Sequence, residues 1–339
     1  MLSLSRRMLL ALDSKFAGAI NKERREMVTS VFVEMALVAF LGGSLRYLLH
    51  DLDIDELRPK INRLVLTVFL PALNFRVIYD AELGEELWQV PLCALTGLVV
   101  IITAGHLLYL FLDTPPRIKG SLILAAAFGN VTYLGMPILQ RLYPSAFLPV
   151  TETVILYEMT ITPLNLVVGS ALAAYYSHSA QFSLKANLLQ VAKMPLLWAI
   201  AAALLVNWSG VKVPAFGLNA ISLMADIVPG LMILSLGMAL KLSVLRSMRR
   251  ALAVVLPAVV LKLVISPVIV FAMANFVALP APFLQATIIE AAMPSQLITF
   301  LTADRYGLDT EHLAVCVFLD TTLSFLTIPL IQALFVPLL

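Results

Sequence analysis

Runs of about 18 to 25 mostly apolar residues recur along the whole chain, each close to the roughly 20 residues a helix needs to cross some 30 Å of hydrocarbon. Ten such runs fall at residues 28–49, 59–79, 89–112, 118–141, 147–176, 187–207, 217–240, 250–278, 282–304 and 311–337. Composition agrees: 60% of the residues are hydrophobic, 13% are charged, and the mean hydropathy is +0.94. These values set the chain apart from soluble globular proteins. The pattern predicts an all-α integral membrane protein with ten transmembrane helices and no soluble domain.

Charge distribution gives an orientation. Ten spans put both termini on one side of the membrane. One set of loops collects Arg46, Arg58, Lys60, Arg63, Arg117, Lys119, Lys185, Lys193, Lys241, Arg246, Arg249, Arg250 and Arg305, whereas the opposite set holds Arg76, Arg141 and Lys212. By the positive-inside rule the first face is cytoplasmic and both termini are non-cytoplasmic. The basic leader at residues 1–27 runs against this rule. Its Leu4, Met8, Leu12, Phe16 and Ile20 fall at helical spacing, which suggests an amphipathic helix lying in the interface. The two cysteines, Cys93 and Cys316, lie inside spans and read as core packing residues.

Within the fourth span stands GNVTYLGMP, with two glycines, an asparagine, a threonine and a proline where lipid offers no water to a broken backbone. An internal repeat explains its position. Pro71 in FLPALNF and Pro229 in IVPGLMIL occupy similar frames. Sixty-six residues after the first comes Pro137, and 65 after the second comes Pro294 in EAAMPSQL. The chain therefore reads as two five-helix repeats, residues 28–176 and 187–339, joined by a short cytoplasmic linker at 177–186. Because five is odd, the second repeat enters the membrane inverted, and matched broken segments of that kind mark substrate sites in secondary transporters. Proline suits the first position of a helix, so Pro137 and Pro294 are each expected to begin a half-helix whose N-terminus favours an anion. Asn130, Thr132, Ser295 and Gln296 would add donors and acceptors there. Isolated kinks repaired by neighbouring helices are the plainer alternative.

Buried ionisable groups form a second signal, because such residues are costly in a membrane interior. Glu158 lines up with Thr151, Thr162 and Asn165, and Asp320 with Cys316, Ser324 and Thr327, so each repeat ends in a helix with one polar stripe. Glu290 sits four residues before Pro294, a place expected to bind Na⁺ or a proton alongside freed carbonyls. Lys262, in VVLKLVISP, is expected to pair with one of these acids or with a substrate carboxylate. For these residues a structural ion pair and a transport role both stand. Asp226 and Glu152 read as structural or interfacial, and His106 as a satisfied core histidine. No GxxxxGK[ST] or HExxH occurs, the four histidines are scattered, and the basic residues flank spans without forming a nucleic-acid patch. No cofactor is expected beyond a coupling ion, H⁺ or Na⁺.

The runs INRLVLTVFLPALNF, GNVTYLGMPIL, ISLMADIVPGLMILSLGMAL with VLKLVISP, and AAMPSQLITFLTADRYGLD resemble the auxin efflux carrier family from about residue 28 onward. That resemblance implies two inverted repeats with crossed fourth and ninth helices, as in cation/proton antiporters and bile-acid symporters. It also implies a dimerising scaffold of helices one, two, six and seven, and an elevator-like motion of the rest. By motif, Asn130 with Val131, Thr132 and Pro137, and Met293 with Pro294, Ser295 and Gln296, would line a carboxylate site, with Asn165 nearby. The chain has only the short SHSAQFSLKAN where plant members carry a long hydrophilic loop, and Glu290 where they tend to have glutamine. The expectation is a non-enzymatic carrier of small organic anions in a bacterial inner membrane, acting as a homodimer. A cation/proton antiporter, a Na⁺-coupled bile-acid-type symporter and a non-transporting ligand sensor are the alternatives.

Overall fold

Every backbone group inside a bilayer must find a partner within the protein, and among the described residues only helices and their connections do so. The computed structural model describes residues 30–45, 48, 53–81, 84–178, 182–239 and 245–335. The leader at 1–27 lies outside them. In chain order the helices are α1 (Ser30–Leu45), α2 (Ile54–Asp80), α3 (Glu86–Leu110), α4 (Pro116–Ala127), α5 (Met136–Leu142), α6 (Pro144–Ser177), α7 (Leu184–Ala192) and α8 (Pro195–Ser209). There follow α9 (Ala215–Ala225), α10 (Val228–Ala239), α11 (Leu245–Val260, continuing through Leu261–Ile265 to Ser266–Phe276), α12 (Ala281–Ala291), α13 (Thr299–Tyr306) and α14 (Thr310–Phe335). Among the described residues, six helices are long and apolar enough to cross a membrane: α2, α3, α6, α9 with α10, α11 and α14. A seventh is the bent pair α7 and α8, which meet at 51°.

Local chemistry sets the boundaries. α2 starts earlier than its apolar run because the Asp53 carboxylate accepts from the amides of Asp55 at 2.8 Å and Glu56 at 3.3 Å, capping a charged first turn. The run at 187–207 bends because Pro195 forces Met194 out of the helical region, to φ −69° and ψ 121°. Three of the four described π turns, Val65–Phe69, Val131–Gly135 and Leu261–Ile265, each stand two residues before a proline, Pro71, Pro137 and Pro267, while the fourth, Asn165–Gly169, follows Pro163. A proline ring crowds the carbonyl four residues back and donates no amide, so the turn before it widens.

Two groups of helices pack together. α8 and α9 lie along the second half of α2, and α10 lies against its first half; α3, α4, α6, α11, α12 and α14 pack among themselves around a large buried core. α1 crosses α10 where glycine replaces a side chain on both. A Cβ at Gly237 would strike the Ala39 carbonyl, and one at Gly42 would strike the Leu234 carbonyl. Small residues of this kind let membrane helices approach closely. Gly237→Ala is therefore expected to destabilise the detergent-solubilised protein by about 1–3 kcal/mol, a cost typical of overpacking. Gly230→Ala on the same helix, where an added Cβ meets nothing within 4 Å, should leave the melting temperature within a degree or two.

Candidate functional site: the paired breaks

The segment between α4 and the π turn leaves helical geometry at Phe128 (φ −108°, ψ 111°) and Asn130 (φ −83°, ψ 65°). A second break separates α12 from α13 at residues 292–298. The two breaks repair each other. Gly129 and Ser295 form an antiparallel bridge in which the Asn130 amide donates to the Pro294 carbonyl at 2.7 Å and the Gln296 amide donates to the Phe128 carbonyl at 2.8 Å. Side chains satisfy further carbonyls at the ends of the first half-helices. Ser295 Oγ lies 2.9 Å from the Ala125 carbonyl. Lys262 Nζ and Ser266 Oγ donate to the Ala291 carbonyl at 3.3 and 3.0 Å. A cation at the carbonyl end of a helix opposes the negative end of its macrodipole.

Around the crossing runs a chain of buried polar groups. Thr302 Oγ1 lies 3.5 Å from Asn165 Oδ1, Asn165 Nδ2 donates to Gln296 Oε1 at 3.1 Å, and Gln296 Nε2 donates to Thr162 Oγ1 at 3.1 Å. Thr162 in turn donates to Glu158 Oε1. On the other side, Ser295 and Cys316 both contact Asp320 Oδ2. A cavity of about 820 Å³ opens onto this chain. Asn130, Thr132, Tyr133, Glu158, Thr162 and Gln296 line it, together with Arg58, Asn62 and Arg63 of α2. Asn130 is 1% exposed, and its Nδ2 has no hydrogen-bond partner. A buried amide donor left in that state costs about 1–3 kcal/mol unless something outside the chain occupies it.

The sequence matches a family described as membrane transport protein over residues 27–332. The chain belongs to that family, which is the one the auxin efflux carrier motifs pointed to. Two curated relatives are similar over most of their length. One, an uncharacterized transporter of Methanothermobacter thermautotrophicus, is 27% identical over 310 residues, covering 89% of this chain and 96% of the relative. The other, an uncharacterized transporter of Methanocaldococcus jannaschii, is 21% identical over 277 residues, covering 80% and 87%.

Against this membrane transport protein the site expectations can be placed residue by residue. Asn130, Thr132, Gln296 and Glu158 reach the cavity wall. Val131, Met293, Ser295, Asn165, Glu290, Asp320 and Lys262 are buried around the crossing but do not line the cavity. Pro137 is the second residue of α5, in its first turn as expected, although a π turn from Val131 already precedes that helix; Pro294 does not begin a half-helix. Pro294 lies in the crossing itself, where its carbonyl accepts the Asn130 amide, while α13 starts at Thr299. A proline suits that place because it brings no amide of its own to satisfy. Lys262 forms no ion pair among the described residues: it lies in the electrostatic range of Asp320 and Glu290 but bonds the Ala291 carbonyl. Cys316 does more than pack, since its thiol contacts Asp320 at 3.7 Å. His106 is satisfied by the Tyr176 hydroxyl at 2.6 Å. Glu152 is buried, and Asp226 lies exposed in the turn between α9 and α10. No group of three or more His, Cys, Asp or Glu converges as a metal site among the described residues.

Sequence reasoning missed the α2 wall. Arg58 and Arg63 were counted as markers of topology, although Arg58, Asn62 and Leu66 are spaced four apart and thus share one helical face. The two glycines of the first break act through volume. Neither Gly129 nor Gly135 has positive φ. Each makes room for a charged side chain: a Cβ on Gly129 would lie 2.8 Å from Lys262 Nζ, and one on Gly135 would collide with both oxygens of Glu290. Gly135→Ala should therefore lower stability by about 1–3 kcal/mol, and Gly135→Ala combined with Glu290→Ala should cost at least 1 kcal/mol less than the sum of the single changes in a thermal double-mutant cycle.

Proposed function

We propose that this transporter carries small organic anions, mono- or dicarboxylates, by secondary transport, and that the cavity at the paired breaks is the substrate site. The observation that supports it most directly is the buried, partnerless Nδ2 of Asn130, a residue that lines the cavity together with Arg58 and Arg63 of α2. A carboxylate entering there gains a buried amide donor and the positive end of the coil that begins at Val131. The guanidinium groups raise the local concentration of anions. Asn165, Gln296 and Thr162 orient one another and so hold Gln296 in one pose beside the substrate.

On this reading α1, the bent pair α7 and α8, and the two broken segments complete ten spans with the six long helices. They form two inverted five-helix repeats crossed at their fourth and ninth members. α2, α8, α9 and α10, with α1, act as a scaffold that pairs two copies. The remaining helices carry the crossing between membrane faces in an elevator-like motion, alternately opening the cavity to each side. The host membrane is a plasma membrane with both termini outside. A cation-coupled variant of this scheme draws support from Glu290, whose two oxygens are buried without a hydrogen-bond partner, a costly state for a carboxylate lacking a bound proton or Na⁺.

The test is flux and charge movement in proteoliposomes challenged with malonate, succinate, lactate, indole-3-acetate and taurocholate, with and without Na⁺. Transport of one carboxylate is expected, with kcat/KM reduced by about 10- to 150-fold in Asn130→Ala, equivalent to about 1.4–3 kcal/mol. Unchanged flux in a folded Asn130→Ala, Gln296→Ala double variant would overturn the proposal. Arg58→Gln with Arg63→Gln should weaken apparent affinity mainly at low ionic strength, because a guanidinium at the cavity mouth acts through long-range attraction.

A further inference from the structure

The Ser295 hydroxyl carries one hydrogen, yet two oxygens lie within hydrogen-bond distance of it: the Ala125 carbonyl at 2.9 Å and Asp320 Oδ2. A hydroxyl can donate only once but can also accept. The carbonyl has no hydrogen to give. Both contacts become hydrogen bonds only when Asp320 Oδ2 carries a proton and donates it to Ser295 Oγ, leaving the serine hydrogen for Ala125. The surroundings of the carboxyl point the same way. Asp320 is fully buried, its Oδ1 has no hydrogen-bond partner, the Cys316 thiol is a weak donor to Oδ2, and the Ser295 amide and the Lys262 ammonium also act on the carboxyl. A buried carboxyl with one oxygen unpartnered is costly to ionise.

Building on the anion-transport reading, we propose that Asp320 is a proton-binding site of this transporter and that its proton governs how the second break is tied to the end of α4. With the proton in place, Asp320 donates to Ser295 and Ser295 donates to Ala125, so α14, the crossing and α4 form one hydrogen-bonded line. When the proton leaves Oδ2, the Ser295 hydrogen turns to the carboxylate and the Ala125 carbonyl loses its side-chain donor. Ala125 is three residues short of Phe128, whose carbonyl holds the Gln296 amide, so loss of the proton loosens the crossing beside the substrate cavity. No other chemical group is consumed: the proton exchanges with water reaching the cavity, whose wall includes Val317, one turn earlier on α14.

The charged and titratable groups near Asp320 do not duplicate this role. Lys262 of α11 is in electrostatic range but bonds the Ala291 carbonyl, and Glu290 of α12 acts on that same lysine. Tyr109 of α3 donates to the Val254 carbonyl at 2.8 Å. α4 presents the uncharged Ala125, and the charges of α13, Asp304 and Arg305, are at its exposed end. Cys316, on Asp320's own helix, contacts the carboxyl directly.

Infrared difference spectroscopy of the full chain in lipid, taken across a pH step with no organic anion present, tests the site without relying on transport. A carbonyl-stretch component of a protonated carboxyl is expected in the native protein, absent from Asp320→Asn, and retained in Glu290→Gln and Glu158→Gln. Ser295→Ala should move it to higher frequency, because the acid loses its acceptor. That variant keeps the test sharp if Asp320→Asn fails to fold. The same component in Asp320→Asn, or no displacement in Ser295→Ala, would overturn the proposal. In proteoliposomes, a one-unit inward proton gradient should drive about tenfold accumulation of the transported carboxylate if one proton accompanies each anion neutrally. Asp320→Asn should abolish that accumulation, and its survival there would also overturn the proposal. An Asp320-dependent band with no flux of any carboxylate would uphold the proton site while removing the anion-transport reading.

Discussion

Two backbone hydrogen bonds, Asn130 to Pro294 and Gln296 to Phe128, make the rest of this structure possible. A broken helix deep in a membrane leaves amides and carbonyls that hydrocarbon cannot satisfy. Here each break supplies what the other lacks, in the smallest piece of antiparallel pairing a chain can make. The remaining carbonyls are taken by Ser295, Ser266 and Lys262. Once the backbone is accounted for in this way, polar side chains at the crossing are released for other purposes, and Asn130, beside the cavity, is left with a buried donor that has no partner.

The buried charges follow from the same accounting. Lys262 would be an unsupported cation were it not set against the carbonyl end of α12, which is why it has no need of a carboxylate partner. Glu290 and Lys262 reach the crossing from α12 and α11, and glycines at 135 and 129 are the space they occupy. Glycine in this segment therefore answers to volume and not to backbone freedom. That distinction separates it from Gly210 and Gly307, which end helices in the left-handed region at φ 67° and 72°.

Much of this was legible in the sequence, for physical reasons that can be named. The recurrence of apolar runs follows from bilayer thickness, and six of them, with a bent pair as a seventh, are long apolar helices among the described residues; both breaks announce themselves through glycine, asparagine and proline set in otherwise uninterrupted hydrophobic stretches. The inward stripes through Glu158 and Asp320 follow from helical spacing, and Thr151, Thr162, Cys316 and Ser324 are indeed buried beside them. What the sequence concealed depends on contacts distant along the chain. A backbone carbonyl such as Ala291 has no signature in the residue type that bears it, so Lys262 looked as though it needed an acid. Arg58, Asn62 and Arg63 of α2 look like an ordinary charged helix start until α2 is seen facing the crossing. Pro137 and Pro294 were marked correctly as breakers, but proline acts several residues upstream in one case and as a donor-free acceptor in the other.

The pairing of the breaks also imposes an order on biosynthesis. Residues 128–130 leave the ribosome roughly 160 residues before their partners at 294–296, which at about 5–20 residues per second is a delay on the order of ten to thirty seconds. Throughout that interval the first break is in or near the membrane with its amide and carbonyl groups unmatched. Something must shelter it meanwhile, whether water held in the translocation channel or the polar surface of an insertion factor. The crossing thus cannot close until residues 294–296 have been made, and a chain truncated before Pro294 leaves the first break without its partner.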